Sequence, residues 1–161
     1  MATHTIGIAD KIVSKAPDKL VTLGLGSCVG LVIYDPYKKV GGLVHIMLPT
    51  APTNAPVTNK FKFADTAIEE MIRLVLQAGA ARNQLKAKVV GGAHMFNNSY
   101  QTDVMGIGNR NVDVCQRVLK EHRIPIAAQD TGGSSGRSIE FSCEDNTLQI
   151  RTVSPKSVRL I

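Results

Sequence analysis

The sequence predicts an α/β fold of the α+β type, in which layered mixed β-sheets carry two helices packed on one face. Many short apolar runs, separated by glycine, proline and asparagine turns, indicate strands. Apolar residues recur with helical spacing in two segments, and helices that cover one face of a sheet suit such a chain. The chain has 161 residues, of which 43% are hydrophobic and 20% charged, so one globular domain over residues 1–161 is expected.

The first third of the chain is predicted to be mostly β-structure. Weak alternation over residues 5–13 predicts an edge strand, and apolar runs at 20–25, 29–34 and 40–48 predict three more strands. An Asp-Pro pair ends the run at 29–34, and a proline ends the run at 40–48. Residues 49–60 contain three prolines and little that packs, so a mobile loop is expected there.

Two segments are predicted to be helices. The first spans residues 64–78, where apolar residues recur at helical spacing, and Gly79 is placed to end it. The second spans residues 111–123. Its apolar face is formed by Val112, Cys115 and Leu119. Its last turn is expected to hold Lys120, His122 and Arg123, whose charge suits the negative end of the helix dipole.

The remaining apolar runs predict strands in the second half of the chain. Two of them lie at residues 86–90 and 124–128, and each runs into a pair of glycines or an Asp-Thr-Gly-Gly segment. Residues 138–143 and 148–152 are predicted to form a terminal hairpin around a polar turn.

The charge and the apolar runs limit the classes of partner. The formal net charge is +6, yet Lys and Arg never exceed two in a row and aromatic residues make up 4% with no Trp. Nucleic-acid binding is therefore disfavoured, whereas an acidic partner and an ordinary solvated surface both remain open. The N-terminus lacks the pattern of a signal peptide, and no apolar run approaches the ~20 residues that cross a membrane. These features predict a cytoplasmic protein without direct membrane insertion.

The segment Gly24-Leu25-Gly26-Ser27-Cys28-Val29-Gly30 carries the most chemical information in the chain. Its glycines surround one thiol, directly ahead of a strand-like run. Glycine allows tight turns and close approach of another molecule. Backbone N–H groups in such a turn, here those of Gly26, Ser27 and Val29, can stabilise a developing oxyanion. Cys28 is therefore a candidate nucleophile, although a small apolar core residue is the alternative.

His45 and Thr22 are the candidates to assist that thiol. His45 lies in the next strand-like run, where its imidazole can lower the thiol pKa and later protonate a leaving amine. Thr22 lies near the end of the strand before the glycine turn. Its hydroxyl can accept from the second imidazole nitrogen and fix the tautomer, which is the part that Asp or Asn plays in other triads. An ordinary β-branched strand residue is the alternative for Thr22.

Other polar and glycine-rich features are weaker candidates. Three cysteines without a CxxC pair favour neither a disulfide framework nor a zinc ribbon, so Cys115 and Cys143 are expected to be core residues. No metal or organic cofactor is expected. The loop at residues 132–137 resembles a phosphate cradle but lacks the Gly-Lys-Ser/Thr ending, and a Rossmann fingerprint fails at Val29. His94 fits a pocket rim and the surface equally well.

A series of motifs, in order along nearly the whole chain, resembles the CheD family, the chemoreceptor glutamine deamidases of bacterial chemotaxis. They are Leu23-Gly24-Leu25-Gly26-Ser27-Cys28-Val29-Gly30, Tyr34-Asp35-Pro36, Gly41-Gly42-Leu43-Val44-His45-Ile46-Met47-Leu48-Pro49, Lys62-Phe63-Ala64-Asp65, Gly91-Gly92-Ala93-His94-Met95-Phe96, Ile107-Gly108-Asn109-Arg110-Asn111 and Asp130-Thr131-Gly132-Gly133. His94 departs from the pattern, since Asn is more often expected there.

The resemblance implies a layered α/β fold of the cysteine-hydrolase type, shared with deamidating toxins. It implies hydrolysis of selected receptor glutamines to glutamate, with Cys28 as nucleophile, His45 as base and Thr22 as the orienting residue. The substrates would be methyl-accepting chemotaxis receptors. CheC, a phosphatase of CheY-phosphate, would bind the same surface as the receptor and restrain the deamidase. The alternative is a non-catalytic binding module that docks on the phosphatase or the receptor.

Overall fold

The computed structural model describes residues 1–95 and 106–161, so the motif residue Phe96 lies outside the described residues. The described residues form ten strands, two α-helices and two short 3-10 helices at Lys60–Lys62 and Arg82–Gln84. The strands and α-helices are, in chain order, β1 (Thr3–Ile6), β2 (Lys11–Lys15), β3 (Lys19–Leu25), β4 (Val29–Asp35), β5 (Val40–Ile46), α1 (Ala64–Gln77), β6 (Lys86–Gly91), α2 (Ile107–Glu121), β7 (Ile126–Thr131), β8 (Arg137–Ser142), β9 (Leu148–Val153) and β10 (Lys156–Leu160).

The strands pair into two five-stranded sheets of mixed direction. The first sheet has the order β1-β3-β8-β9-β10, in which β1 is parallel to β3 and the other pairs are antiparallel. The second sheet has the order β2-β5-β4-β6-β7, in which β6 and β7 are parallel and the other pairs are antiparallel. The prediction of layered mixed sheets is confirmed.

The two helices cover one face of the second sheet, and the first sheet covers its other face. In β4, Leu31 and Ile33 pack in the apolar cluster shared with the helices, whereas Val32 and Tyr34 pack between the two sheets. Because both faces are covered, β4 and β5 are buried along their whole length. The predicted packing of two helices on one sheet face is confirmed. Among the described residues, no helix is long and apolar enough to cross a membrane.

The N-terminal residues differ from their prediction. The single edge strand expected at residues 5–13 is two strands, β1 and β2, which belong to different sheets. The chain turns between them with a left-handed residue, Ala9, at a φ of 61°. The weak alternation in the sequence arose because two partly buried strands, each with its own inner face, follow one another closely.

The second helix also differs at both ends. It begins at Ile107, ahead of the predicted start at Asn111, and it ends at Glu121. Glycine and asparagine in its first turn have low intrinsic helix propensity, but packing overrides this preference because the helix approaches the backbone of residue 93 closely there. His122 is the C-cap and Arg123 follows it, so only Lys120 lies in the last turn. The predicted apolar face is confirmed, since Val112, Cys115 and Leu119 are buried.

The C-terminal hairpin of β8 and β9 is confirmed, but a further strand follows it. All residues of β10 are exposed, and the only apolar alternation there, Val158 and Leu160, was too short to predict a strand. Residues 49–59 form no helix or strand, as predicted. Hydrogen bonds tie this loop to the rest of the fold: the Ala51 amide donates to Asp65 at 3.1 Å, and Asn59 Nδ2 donates to the Ala9 carbonyl at 2.9 Å. Its mobility stays a prediction.

Candidate active site

The turn that carries Cys28 connects the two sheets. Residues 26–28 leave the end of β3 in the first sheet and enter β4 in the second. Gly24 takes a φ of +68°, and the pairing of β3 with β8 shifts register between Thr22 and Leu25, so the strand end bends toward the second sheet. The cysteine is partly buried where the chain crosses between the sheets.

The sheet register brings His45 to the same end of the molecule. His45 on β5 lies opposite Gly30 on β4, two residues after Cys28. Thr22 lies on β3 in the first sheet, and its Oγ1 is 2.7 Å from Nδ1 of His45. Both side chains are buried, at 0% and 1% relative exposure. The structure therefore brings together the predicted histidine and threonine across the space between the sheets.

The hydrogen bonds around Thr22 determine the tautomer of His45. The Thr22 hydroxyl donates its one hydrogen to the Ile6 carbonyl on β1, at 3.0 Å. Oγ1 then has only lone pairs left for the imidazole, so Nδ1–H of His45 donates to it. The proton therefore lies on Nδ1 in the neutral ring, and Nε2 carries the free lone pair. Ile6 belongs to this arrangement through its backbone and was not singled out from the sequence.

The second ring nitrogen of His45, Nε2, carries the free lone pair of the imidazole. It is buried and has no hydrogen-bond partner among the described residues. Burial lowers the pKa of His45 below its ordinary value, because the charged imidazolium loses its solvation. The ring is therefore neutral at neutral pH and able to accept a proton.

The pKa of Cys28 differs from the sequence-based expectation. The imidazole was expected to lower it, but burial raises it, and the backbone amide of Cys28 offsets only part of that effect. Stronger burial raises the pKa of Cys115 to about 12, and burial raises that of Cys143 to about 11. Both of these are core residues, as predicted. Burial thus favours the neutral thiol at Cys28 and the neutral imidazole at His45 over their charged forms.

The carbonyls of the cysteine turn are all held by hydrogen bonds. Gly26 accepts from the Ala93 amide at 2.9 Å, Ser27 accepts from Asn111 Nδ2 at 2.9 Å, and Cys28 accepts from the Gly92 amide at 2.8 Å. No other residue in the described part of the chain accepts a hydrogen bond from the amide of Ser27 or Cys28. The third predicted donor, Val29, starts β4 and pairs with Ile46 and Gly91.

The segment that supports the turn includes His94 and Met95. The His94 amide donates to the Gly133 carbonyl at 2.7 Å, and its side chain is half-buried. The Met95 side chain covers Gly26, because a Cβ added there would be 3.2 Å from Met95 Cγ. In the sequence, residues 91–95 stood out only as one of the family motifs, and nothing in them indicated that they support the cysteine turn.

The loop at residues 132–137, which resembled a phosphate cradle, has a structural role. Arg137 is buried and turns inward, where its guanidinium donates to the Gly91 and Gly132 carbonyls and to the Asp130 carboxylate at 3.1 Å. Arg159 also donates to Asp130. The arginine thus holds backbone rather than facing an anion site. Within residues 1–95 and 106–161, no cluster of His, Cys, Asp and Glu has metal-ligand spacing.

Comparisons with known proteins give a consistent result. Residues 47–152 match the sequence model of a family described as "CheD chemotactic sensory transduction". That match starts two residues after His45, so by itself it says nothing about the site residues. The chain is 51% identical over 148 residues to a protein of Caldanaerobacter subterraneus subsp. tengcongensis and to one of Clostridium novyi. Each alignment covers 92% of this chain and 91% of the relative, and each relative is named "Probable chemoreceptor glutamine deamidase CheD".

A Lachnoclostridium phytofermentans protein of the same name is also 51% identical, with 92% of each chain covered. Among solved structures, the chain resembles the Bacillus licheniformis hypothetical protein YfiH, with a TM-score of 0.46 and 16% identity. The likeness covers 78% of this chain and 50% of that one, and at this TM-score it carries no argument.

Proposed function

The chain belongs to the CheD family, and from this premise we propose that it deamidates glutamine side chains of methyl-accepting chemotaxis receptors. The names of its relatives, which are chemoreceptor glutamine deamidases, support this substrate. The reaction adds water to a carboxamide and yields glutamate and ammonia. The new carboxylate changes the receptor charge by one unit per site, which can bias a signalling equilibrium.

The first chemical step is attack of Cys28 Sγ on the carboxamide carbon. Because burial favours the neutral forms of both groups, the thiol proton passes to Nε2 of His45 as the C–S bond forms. Nδ1–H of His45 stays hydrogen-bonded to the Thr22 hydroxyl oxygen. This bond holds the ring in the tautomer that the proton transfer needs. A neutral hydroxyl orients the imidazolium but stabilises it less than a carboxylate would.

The second step expels ammonia, and the third releases glutamate. Amides of the turn hold the oxyanion. Of the predicted donors Gly26, Ser27 and Val29, Ser27 fits best, because its amide and that of Cys28 have no acceptor in another described residue, whereas Val29 is paired within the sheet. Nε2–H of His45 protonates the leaving nitrogen, the C–N bond breaks and a thioester to Cys28 remains. Water then attacks the thioester while Nε2 removes its proton, and the thiol takes that proton back.

The observation that carries this proposal is the chain of hydrogen bonds from Ile6 through Thr22 to His45. It leaves a buried nitrogen lone pair without a partner among the described residues, at the end of the sheets where the cysteine turn lies. A packing role for Thr22 and His45 would be served equally by apolar residues, which carry no such cost of burying a polar atom.

We further propose CheC, the phosphatase of CheY-phosphate, as a partner that covers the face around Cys28 and competes with the receptor. The reaction is placed in the cytoplasm, where a reducing environment keeps the thiol free. All three cysteines are free, which agrees with that compartment.

The test is intact-mass analysis of a receptor cytoplasmic fragment incubated with the protein. A deamidase adds the mass difference between an amide and an acid at each site, and peptide mapping locates the glutamate. Cys28→Ala is expected to bind the fragment and leave its mass unchanged. If wild-type protein binds the fragment without changing its mass, the non-catalytic binding module is the correct function.

A further inference from the structure

Asn111 lies between the turn that carries Cys28 and the end of β5, the strand that carries His45. It is on the second turn of α2 and is fully buried, with 0% relative exposure. Its Nδ2 donates to the Ser27 carbonyl at 2.9 Å and to the Met47 carbonyl at 3.1 Å. Ser27 directly precedes Cys28, and Met47 follows His45 by two residues. One amide group therefore bonds to the backbone beside the nucleophile and to the backbone beside the base.

The other polar atom of this side chain, Oδ1, is buried and has no hydrogen-bond partner within residues 1–95 and 106–161. The orientation is fixed, since a flipped amide would point Oδ1 at two carbonyl oxygens. A buried acceptor without a partner is unfavourable for the fold. The residue is better explained by the two hydrogen bonds that Nδ2 makes than by core packing.

The backbone around Asn111 is built for close approach to the site. A Cβ on Gly108 would be 2.4 Å from the Ala93 carbonyl oxygen, and a Cβ on Gly92 would be 2.3 Å from Val112 Cγ2. The start of α2 therefore packs directly on residues 92–93, whose amides hold the Cys28 and Gly26 carbonyls. This contact keeps α2, and with it the Asn111 amide, at a fixed position relative to the cysteine turn.

We propose that Asn111 is a positioning residue, whose amide sets the separation between the Cys28 turn and the strand of His45. The expected change in kcat rests on the proposed function. The expected change in the reactivity of the Cys28 thiol rests on geometry alone. A displacement of about 1 Å between reacting groups can cost ~100-fold in rate. Loss of the two hydrogen bonds is therefore expected to lower kcat by about 10- to 100-fold and to leave KM within about twofold, because Asn111 is fully buried and is not part of the protein surface.

The experiment compares Asn111→Leu and Asn111→Asp with a control on the same helix. Leucine keeps the approximate shape and removes all polar atoms, whereas aspartate keeps the shape and removes both donors. Asn109 is exposed on α2, so Asn109→Leu is the matched control and should behave as wild type. Circular dichroism and thermal melting identify which variants are folded. If neither Asn111 variant folds, the residue is an element of the fold and the proposal is overturned.

Two readouts are taken on the folded variants. The first is kcat and KM for deamidation of the receptor fragment. The second is the pH profile of Cys28 alkylation by iodoacetamide, mapped by mass spectrometry, with buried Cys115 and Cys143 as slowly reacting internal references. Proton transfer to the imidazole should accelerate wild-type labelling near neutral pH, so His45→Ala supplies the uncoupled profile.

The proposal expects the Asn111 variants to follow the His45→Ala alkylation profile and to lose kcat at constant KM. A folded Asn111 variant with the wild-type profile or with wild-type kcat overturns it. If wild type and His45→Ala label identically, there is no coupled pair to position, and it is overturned as well. If wild type fails to deamidate the fragment, the proposed function fails, but the alkylation profiles still decide the role of Asn111.

Discussion

The contribution of the Thr22 hydroxyl to kcat is the most directly measurable effect of a single residue. It joins the Ile6 carbonyl to Nδ1 of His45. We expect Thr22→Ala to lower kcat about five- to tenfold, because it removes one orienting hydrogen bond of about 1 kcal/mol. Thr22→Ser keeps the hydroxyl and should retain most of the activity. Steady-state deamidation rates check this. Thr5→Ala, at an exposed position of β1, is the control.

An equal loss in Thr22→Ala and Thr22→Ser would contradict the orienting role and indicate that the methyl group matters instead. Cys28→Ala and His45→Ala are expected to abolish turnover, because neither the thioester nor the proton transfer forms without them. Normal turnover in His45→Ala would overturn the assignment of the base.

The buried imidazole also gives the protein a dependence on pH. Burial lowers the pKa of His45 below its ordinary value of 6.5. Between the two values the unfolded chain binds a proton that the folded chain does not, so the free energy of unfolding falls as pH drops below about 6.5. The base itself is lost only when the folded imidazole is protonated, so kcat should fall at a lower pH, as the pH passes through the lowered pKa of His45. Urea unfolding at about pH 7.5 and 5.5 measures the first effect, and kcat followed to progressively lower pH measures the second.

His45→Gln should reduce the slope of stability between these pH values relative to wild type. A slope that is unchanged in His45→Gln would mean that other groups cause it.

Single residues show how far the sequence alone could lead. Cys28, His45 and Thr22 stood out because they lie in or beside local motifs. The pKa of Cys28 was expected in the wrong direction, since the residue packs against an apolar cluster whose members come from distant parts of the sequence. The role of Asn111 was hidden for the same reason: its partners are 84 and 64 residues away. No local pattern encodes such contacts.

At the scale of elements, the end of β6 determines where the cysteine turn lies. Gly91 has a φ of +115°, and a Cβ there would be 2.3 Å from the Cys28 carbonyl oxygen. Gly79, after α1, has a φ of +113° and nothing within 4 Å of its ideal Cβ. Both alanine variants carry backbone strain of about 1–3 kcal/mol. We expect Gly91→Ala alone to add a clash, a larger loss of stability and at least a tenfold loss of kcat.

Urea unfolding and deamidation rates compare the two variants. Gly79→Ala is the matched control, since it has almost the same φ without the contact. Similar stability losses in both variants, with kcat unchanged in Gly91→Ala, would show that the end of β6 does not hold the turn.

The elements that the sequence predicted well are those with a buried periodic face. α1 and the strands β3 to β6 match their apolar runs closely. β10 has no buried face, and the start of α2 is helical because of its packing rather than its propensity. In both cases tertiary pairing, which no local window contains, determines the structure.

At the scale of the whole molecule, the net charge of +6 favours an acidic partner surface. Most of the stabilisation of the transition state should come from contacts with the receptor outside the carboxamide. We therefore expect negligible ammonia release from free glutamine, measured by a coupled assay at the same enzyme concentration. Receptor deamidation should slow as salt rises, most clearly below saturation, because screening weakens the encounter between the charged surfaces. Turnover of free glutamine at a rate comparable to the receptor, or receptor rates that ignore salt at low substrate, would mean that the site selects the carboxamide by itself and that the basic surface takes no part in docking.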